Sequence, residues 1–511
     1  MSTTQLRSKV VSDFKMHGLS LRGDATHLLV QFLQSESETR RNQWLERLIE
    51  KIQGLGLSRP VVGKDDLKAA LEECVNAESA GEELLLVIDA FTVPRFTYVP
   101  ERKKYVADSV LGKTIPSLLG DSDDKASIFV KRYTILYERM SRHELFAPAV
   151  IGSSKAEGPR FTLRKIEYLL GTTEKLDKVI ILGMLTQLKE GKLYLEDPTE
   201  NCFVLVEGEY IGSKKILKVI TLGSPPAEPI ETSRRFLGDM NFFGGPSAKS
   251  LRGSEKLKLV EERNSEAIFV FLSDVWLDHP GVMERLQTLF RGFSDFPPVA
   301  FVFLGNFLHA SYGMDQAKEL RDKLKHLGYI IISYPQLAQA SKFIFVPGPK
   351  DPGIGGLLPR PMLPEFVTQD LAKDVPNAIF ATNPCRIQYC TKEIVVLRED
   401  VLSKMCRHCI YFPSSGGDIA EHFVKTICGQ GHLCPMAPHV SPTLWTSDHA
   451  LNLFPLPDLV VVGDKFKSFT ESHMGCTIIN PGTLPRNEFL FKVYYPVTGQ
   501  VDDSQISNLH T

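Results

Sequence analysis

The chain has almost no net charge, no long apolar run and few cysteines, and each of these absences excludes a class of protein. Its 511 residues contain 59 Lys and Arg against 61 Asp and Glu, which gives a formal net charge of −2. A protein that works by wrapping nucleic acid usually has a basic excess. We therefore expect any contact with DNA to be local or to be made by a partner.

Membrane insertion and secretion are not indicated either. No apolar run reaches the roughly 18 residues that a membrane span needs, and the first residues, "MSTTQLRSKVVSDF", contain no signal-peptide core. The nine cysteines are sparse and have no regular spacing. This usage is typical of a reducing compartment, the cytosol or the nucleus.

The length predicts about three domains. Residues 1–80 are predicted to form a helical domain that docks a partner, because apolar residues recur on one face at helical spacing. One such face consists of Leu45, Leu48, Ile49 and Ile52. Residues 81–155 contain the irregular stretch "FTVPRFTYVPERKKYV" and are predicted to be a linker with one helix.

From residue 156 to residue 228 the apolar residues change to a period of two. The stretches "KVIILGMLTQLKEGKLYLED" and "CFVLVEGEYIGSKKILKVITLG" each predict two strands joined by a tight turn. Successive hairpins of this kind predict a small β-barrel of the OB type. OB barrels often bind single strands by aromatic stacking. Because the strands offer only Tyr194 and Tyr210, a structural barrel is the better interpretation.

Residues 229–511 begin with a stretch rich in Gly, Pro and Ser, which is predicted to be a rim linker at the edge of the domain. They continue as apolar strands separated by helices, which predicts a layered α/β domain. The predicted fold class is thus multidomain α+β, with an N-terminal helical bundle, an OB-type β-barrel and a layered α/β domain. In layered α/β folds the loops beyond the strand ends form the site.

Five such loops read "SDVW", "LGNF", "GPKD", "GQGHLCP" and "GDKF". They resemble the loops of the calcineurin-like metallophosphoesterases, in which His, Asp and Asn hold two metals around a nucleophilic water. The resemblance implies that Asp274, Asp351 and His432 are retained, whereas most of the other ligand positions are replaced. The replaced positions are Trp276, Asn306, Pro349, Lys350, Asp464 and Phe466.

These replacements are incompatible with a two-metal centre. Loss of even an outer partner weakens a metal site by roughly 10- to 100-fold, and here most of the direct ligands are replaced. A +1 charge on Lys350 about 4 Å from a +2 ion would cost roughly 8 kcal/mol at an effective dielectric of ~20. We therefore predict no catalytic residue, no metal and no cofactor. Lys350 is expected to place its ammonium where a metal would lie and to pair with Asp274 or Asp464.

Longer stretches narrow the family. The segments "FLSDVWLD", "NFFGGPS", "TNPCRIQYCTKEIVVLRED" and "INPGTLPR", together with the N-terminal bundle, resemble the B subunits of eukaryotic replicative DNA polymerases, those of polymerase epsilon in particular. The resemblance implies a nuclear, non-catalytic scaffold. Its implied partners are the zinc-binding C-terminal module of the catalytic subunit of DNA polymerase epsilon, the small histone-fold subunits of that complex and components of the replicative helicase. DNA would be met mainly through the complex.

Two other functions stay open at this point. One is an active metal-dependent nuclease or phosphatase that uses a rearranged site. The other is an independent single-stranded DNA-binding protein that acts through the barrel.

The chain departs from the family pattern in the barrel. Family members continue after "LEDPT" with a further strand and loop, whereas here Thr199 is followed almost at once by the strand that begins near Cys202. We therefore predict a shortened barrel, whose closure the sequence does not decide.

A zinc site is the remaining hypothesis from the sequence. Cys406 and Cys409 have zinc-knuckle spacing, and Cys428, His432 and Cys434 follow. A structural zinc needs four ligands. The alternative interpretation, buried reduced thiols, is favoured.

Overall fold

The computed structural model describes residues 3–34, 38–54, 61–64, 66–68, 70–71, 84–108, 120–147, 161–189, 192–196, 202–309, 313, 315–409 and 417–506. The chain forms two compact units, residues 1–84 and residues 85–511. In the described ranges no helix combines the length and the apolar character needed to cross a membrane.

The first unit is helical, as its apolar spacing predicts. It contains α1 (Thr3–Met16), α2 (Gly23–Gln34), α3 (Glu38–Gly54) and the short parallel strands β1 (Ser20–Leu21) and β2 (Val61–Val62). The predicted helical faces form one buried core, which includes Leu6, Val10, Phe14, Leu29, Leu45, Leu48, Ile49 and Ile52.

Residues 81–155 are more than the predicted linker. The strand β3 (Leu85–Asp89) pairs antiparallel with Cys385–Tyr389, far along the chain. A hairpin of β4 (Phe96–Val99) and β5 (Lys104–Ala107) follows, and then the predicted helix, α4 (Ser122–Arg142). The linker prediction is therefore wrong for residues 85–107, because the apolar run "LLLVIDAF" forms an edge strand of a large sheet.

A five-stranded sheet contains both predicted hairpins. Its strands are β6 (Leu163–Arg164), β7 (Lys175–Lys189), β8 (Lys192–Glu196), β9 (Phe203–Ile211) and β10 (Ile216–Gly223), with the short helix α5 (Ile166–Leu170) after β6. The strand order is β10-β9-β7-β6, and β8 also pairs with β7. Among the described residues no strand joins β10 to β6 or β8. The described strands therefore form an open sheet, and the shortening of the barrel stays a prediction.

Two six-stranded sheets make up the layered α/β domain. Their further strands are β11 (Phe269–Ser273), β12 (Ala300–Leu304), β13 (Lys342–Val346), β14 (Ala378–Phe380), β15 (Cys385–Tyr389), β16 (Lys392–Arg398), β17 (Leu459–Gly463), β18 (Phe469–His473), β19 (Cys476–Asn480), β20 (Leu490–Tyr495) and β21 (Gln500–Gln505). One sheet has the order β14-β13-β12-β11-β20-β21, and the other has the order β18-β19-β17-β16-β15-β3. The strands β11, β12 and β17 are buried along their whole length, as expected for parallel strands covered on both faces.

Helices cover the two sheets. They are α6 (Ile230–Leu237), α7 (Glu255–Arg263), α8 (Val282–Gly292), α9 (Gln316–Ile332), α10 (Pro335–Ala340), α11 (Glu365–Asp374), α12 (Val401–Arg407) and α13 (Ile419–Gln430). Leu286 and Leu324 of α8 and α9 share a core with Phe301 of the first sheet. Val424 of α13 shares a core with Val460 of the second. The predicted rim linker is also packed, since it contributes Ile230 and Phe243 to this second core.

The parallel strands bring the loops of interest to common edges. The strands β11, β12 and β13 pair in parallel, so their carboxyl ends lie at one edge of the first sheet. The strands β16 and β17 pair in parallel in the second sheet. The residues that follow these five strands meet between the two sheets and form the candidate site.

Candidate functional site

Asp274 lies at the centre of the site, directly after β11. Its backbone is in the left-handed region, with φ of 52°, and its side chain is 3% exposed. One carboxylate oxygen, Oδ1, accepts hydrogen bonds from the backbone N–H and the side-chain amide of Asn306, both at 3.0 Å. The other, Oδ2, accepts from the hydroxyl of Thr483 at 2.8 Å. The first two predicted loops are thus joined through this carboxylate.

Arg398, the last residue of β16, supplies the positive charge of the site. Its Nη2 donates to Oδ1 of Asp274 at 2.7 Å, and its Nη1 donates to Asp400 at 3.1 Å and to the carbonyl of Gly463 at 3.0 Å. Its Nε donates to the carbonyl of Gly305 at 2.5 Å. One guanidinium therefore ties together the ends of β11, β12, β16 and β17.

The charge of Arg398 is stabilised in spite of its burial. The side chain is 2% exposed, and burial alone would lower its pKa. The carboxylates of Asp274 and Asp400 outweigh this effect and raise the pKa of the guanidinium above its ordinary value. Asn383 holds the backbone of this residue in place, because its Oδ1 accepts a hydrogen bond from the backbone N–H of Arg398 at 3.0 Å. Arg398 is therefore a permanent cation at the position expected for Lys350.

The "GPKD" loop is held by its backbone rather than by the lysine side chain. Oδ1 of Asn306 accepts from the backbone N–H of Lys350 at 2.8 Å. Asp351 is buried and accepts from the backbone N–H groups of Phe307 and Gly348, at 2.8 and 2.7 Å. Its burial raises the pKa of its carboxyl to about 6. The Lys350 side chain is exposed, so the predicted pairing of Lys350 with Asp274 is wrong, since Arg398 makes that ion pair.

Pro349 and Asp464 are packed or hydrogen-bonded within the protein. Pro349 is half-buried within the loop and offers no backbone N–H. Asp464, after β17, accepts from the backbone N–H groups of Leu402 and Phe466, both at 2.9 Å. Burial raises the pKa of the Asp464 carboxyl to about 6. Its hydrogen bonds hold the start of α12 against the "GDKF" loop, so the pairing with Lys350 predicted as the second choice is not formed either.

Trp276 belongs to an aromatic and cationic cluster at the outer side of the "SDVW" loop. Its ring lies 4.5 Å from the ring of His309 and 6.1 Å from that of His279. The guanidinium of Arg486 lies over it, 5.1 Å from the centroid. The position at which a metal-binding His was expected is therefore filled by a packed indole.

His432 does not join this site. Its Nε2 lies 3.4 Å from Oδ1 of Asp448, and Asp448 in turn accepts from the guanidinium of Arg132 on α4. Burial and the nearby Arg132 lower the pKa of the imidazole. The imidazole lies beside Asp448 rather than at the Asp274 site, so His432 does not occupy the position that the predicted match to a metal-binding His implies.

The described part of the chain contains no group of three or more His, Cys, Asp or Glu side chains that could hold a metal. Of the predicted positions, Asp274 and Asn306 are bonded to each other beside the Arg398 guanidinium, whereas His432 lies apart on Asp448. Zinc ligation is not indicated among the described residues either, since Cys428 and Cys434 are buried in the core of the second sheet whereas Cys409 is exposed. The thiol of Cys409 donates a hydrogen bond to the carbonyl of Cys406.

Matches to family models give the class of protein to which this fold belongs, the B subunits of DNA polymerases. Residues 269–471 match the B-subunit family of DNA polymerases alpha and epsilon. Residues 122–201 match the DNA polymerase epsilon subunit 2-like OB-fold domain, and residues 2–74 match the family DNA polymerases epsilon N terminal.

Full-length relatives give the particular family. DNA polymerase epsilon subunit 2 of Homo sapiens is 47% identical over 526 aligned positions, and that of Bos taurus is 46% identical; each alignment covers 99% of both chains. The Drosophila melanogaster protein of the same description is 41% identical over 98% of both chains. The chain belongs to the DNA polymerase epsilon subunit 2 family, and the predicted resemblance is confirmed.

The length of the human alignment and one solved structure complete the comparisons. The human alignment has 526 positions against 511 residues here, and 526 − 511 = 15, so at least 15 aligned positions have no residue in this chain. A solved structure described as a novel archaeal phosphodiesterase covers 46% of this chain and 98% of its own length, at 10% identity and a TM-score of 0.26. That overlap is too low to inform either the fold or the site.

Proposed function

We propose that this chain is a non-catalytic accessory subunit of the DNA polymerase epsilon complex in chromosomal DNA replication, located in the nucleus. The observation that carries the proposal is the ion pair of Arg398 with Asp274, together with family membership. The strand-end loops, which would be the site of a phosphoesterase, are joined to one another by this pair. The domain then serves as a rigid body on which other subunits assemble.

The same geometry argues against a working phosphoesterase site. A divalent ion at Asp274 would lie close to a guanidinium that already binds Oδ1 at 2.7 Å. At about 4 Å and an effective dielectric of ~20, the repulsion would be roughly 8 kcal/mol. Displacing Arg398 would also break its bonds to Gly305, Asp400 and Gly463. The chain is accordingly proposed to lack metal-dependent hydrolysis.

The test is a manganese-supplemented assay with bis-p-nitrophenyl phosphate and with single-stranded DNA. The wild type should show no turnover above a heat-denatured control. Asp274→Asn and the surface variant Asp370→Asn should give the same background. Chelator-sensitive turnover that disappears in Asp274→Asn but persists in Asp370→Asn would overturn the proposal and support the nuclease or phosphatase alternative.

Single-stranded DNA binding through the open sheet is not favoured by its surface charge. Lys178 of β7 lies 3.3 Å from Glu207 of β9, and Lys175 lies 3.9 Å from Glu209. These two lysines are thus paired with carboxylates of the neighbouring strand and are not free to bind phosphates. Tyr210 is buried at 3% exposure and is not available for stacking.

We also propose individual binding partners, on the basis of family membership. They are the zinc-binding C-terminal module of the catalytic subunit, the small histone-fold subunits and components of the replicative helicase. Affinity purification of the tagged chain from nuclear extract, followed by mass spectrometry, tests the set. Recovery of polymerase epsilon and helicase subunits supports the proposal, whereas recovery of the chain alone contradicts it.

A further inference from the structure

The strand β10 has an open outer edge and unusually exposed apolar side chains. It stands at one end of its sheet and pairs only with β9 among the described strands. Ile216 and Val219 are each 53% exposed, Ile220 is 59% exposed and Leu222 is 44% exposed. A strand with one face on a core buries every second residue, as β9 does. Here apolar side chains on both faces of β10 meet solvent.

The connection between β8 and β9 is too short to supply a neighbour for the outer edge of β10. Only six residues, 197–202, connect Glu196 at the end of β8 to Phe203 at the start of β9. A further strand of ordinary length, about five residues, would need a turn on each side as well. The match to the OB-fold domain also ends at residue 201, inside this connection. The sheet is therefore short of a strand that this connection cannot supply.

The charge along the open edge is of one sign. The segment from Gly212 to Ala227 contains Lys214, Lys215 and Lys218 and no Asp or Glu, and all three lysines are exposed. The nearest carboxylate in the sheet, that of Glu209, lies opposite Lys218 but is shared with Lys175 at 3.9 Å. An incoming strand meets unpaired backbone groups, apolar side chains and excess positive charge.

We propose that the outer edge of β10 binds an extended segment of another protein in which apolar and acidic residues alternate. Strand addition would satisfy the unpaired N–H and C=O groups of the edge. The apolar residues of the segment would cover Val219 and Leu222, which share a face with the buried Val206 and Gly208 of β9, and Ile220 at the bulge between them. Its carboxylates would face Lys218 on the opposite face and the neighbouring turn lysines, Lys214 and Lys215. This surface is separate from the Arg398 cluster, and the proposal does not depend on assembly into the polymerase.

A second copy of the chain is the competing occupant. Pairing β10 with its own copy would bring two sets of three lysines to one interface and add no acidic residue from the strand itself. Like charges directly opposite one another on adjacent strands are destabilising. Charge therefore favours an acidic segment over self-association.

The test uses the full chain and two blocked peptides, each one strand long, one of alternating valine and glutamate and the other of alternating valine and lysine. The valine–glutamate peptide should slow amide exchange of residues 212–223 by about tenfold or more, and its binding should weaken as salt is added. The valine–lysine peptide should give no protection. Ile220→Asp should abolish protection, whereas Phe296→Asp, at a residue that is 75% exposed elsewhere in the chain, should leave it unchanged.

A charge reversal makes the test specific. The combined variant Lys214→Glu, Lys215→Glu and Lys218→Glu should reverse the preference and bind the valine–lysine peptide. Equal binding of both peptides by the wild type, or protection by neither, would overturn the proposal. So would a dimer, seen by sedimentation of the wild type without peptide, that Ile220→Asp dissociates, because a second copy would then be the occupant. Unchanged exchange in β11–β13 verifies that each variant is folded.

Discussion

The guanidinium of Arg398 and the carboxylate of Asp274 are joined at 2.7 Å, and both side chains are at most 3% exposed. This pair connects the end of β11 in one sheet to the end of β16 in the other. A buried pair of this kind is costly to form from charged groups in water, but removing one partner leaves the other charge buried without compensation. The pair therefore makes the two sheets dependent on each other.

The first prediction concerns this pair. Arg398→Met should lower the free energy of unfolding by about 3–5 kcal/mol, because it leaves Asp274 buried without its cation. Lys350→Met, at the exposed lysine of the "GPKD" loop, should lower it by no more than about 1 kcal/mol, because interactions of an exposed charge are weakened by water. Urea unfolding of the two variants in parallel gives the comparison. A larger loss for Lys350→Met than for Arg398→Met would contradict the structure of the site.

The second prediction concerns Asp464 and pH. Burial raises its pKa to about 6, so the folded chain holds this proton more tightly than the unfolded chain does. Its contribution to stability is fully present below about pH 4 and is lost as the pH rises through about 6. The unfolding free energy of the wild type, measured relative to Asp464→Asn, should therefore fall between these values by about 1–3 kcal/mol.

A matched control gives the opposite sign. The guanidinium of Arg321 lowers the pKa of Asp370, so the stability contributed by Asp370 is present at neutral pH and is lost as the pH falls. The wild type relative to Asp370→Asn should lose stability on acidification. If the wild type relative to Asp464→Asn also lost stability on acidification, the pKa of the Asp464 carboxyl would not be raised in the folded chain.

The third prediction concerns α4, which bridges the open sheet and the layered domain. Phe129 and Leu136 pack against Leu182 and Phe203 of the open sheet, and Arg132 binds Asp448 of the layered domain through two hydrogen bonds. Arg132→Met should speed amide exchange across α4 and lower unfolding stability by about 3 kcal/mol or more. Exchange in β11–β13 should stay slow.

The surface variant Arg321→Met serves as the comparison for α4. Its partner Asp370 is 27% exposed, and water screens an ion pair at the surface, so the loss in this variant should be smaller. Equal losses in the two variants would show that the Arg132 pair does not hold α4 in place.

The fourth prediction concerns the division of labour between the two units. Residues 1–84 form a compact unit with a core of their own. Deletion of these residues should leave binding to the polymerase catalytic subunit intact, since the layered domain begins with β3 at Leu85. Co-purification of the shortened chain with the catalytic subunit measures this. Loss of binding by a fragment that is still folded would contradict the assignment.

The sequence was sufficient to predict that the loops after β11, β12, β13 and β17 meet, but not that the "GQGHLCP" loop lies elsewhere or which side chain would be the cation. Asp274, Asn306, Asp351 and Asp464 follow strands whose order makes their convergence predictable. Lys350 was chosen because it stands in the motif, whereas the loop is anchored through its backbone. Arg398 was overlooked, although a charged residue at the end of the apolar run "EIVVL" was a usable signal.

Two other errors came from long-range contacts that local patterns do not contain. The run "LLLVIDAF" has no feature that identifies a partner strand about 300 residues away. His432 was matched to a motif by its residue type alone, whereas the partner that determines its role, Asp448, lies beyond the next loop. In both cases the missing information was the tertiary pairing, which neither period nor spacing encodes.

The pairing of β3 with β15 has a consequence for synthesis of the protein. Between Asp89 and Cys385 the ribosome must add all the intervening residues, 385 − 89 = 296 positions, before the partner of β3 exists. At about 5–20 residues per second, this interval lasts roughly 15–60 s. During that time an apolar strand near the start of the chain is without its sheet, while the open sheet encoded within the interval is already complete. The nascent chain therefore presents β3 to chaperones for most of its translation, and the second six-stranded sheet is assembled from the first and last parts of the domain.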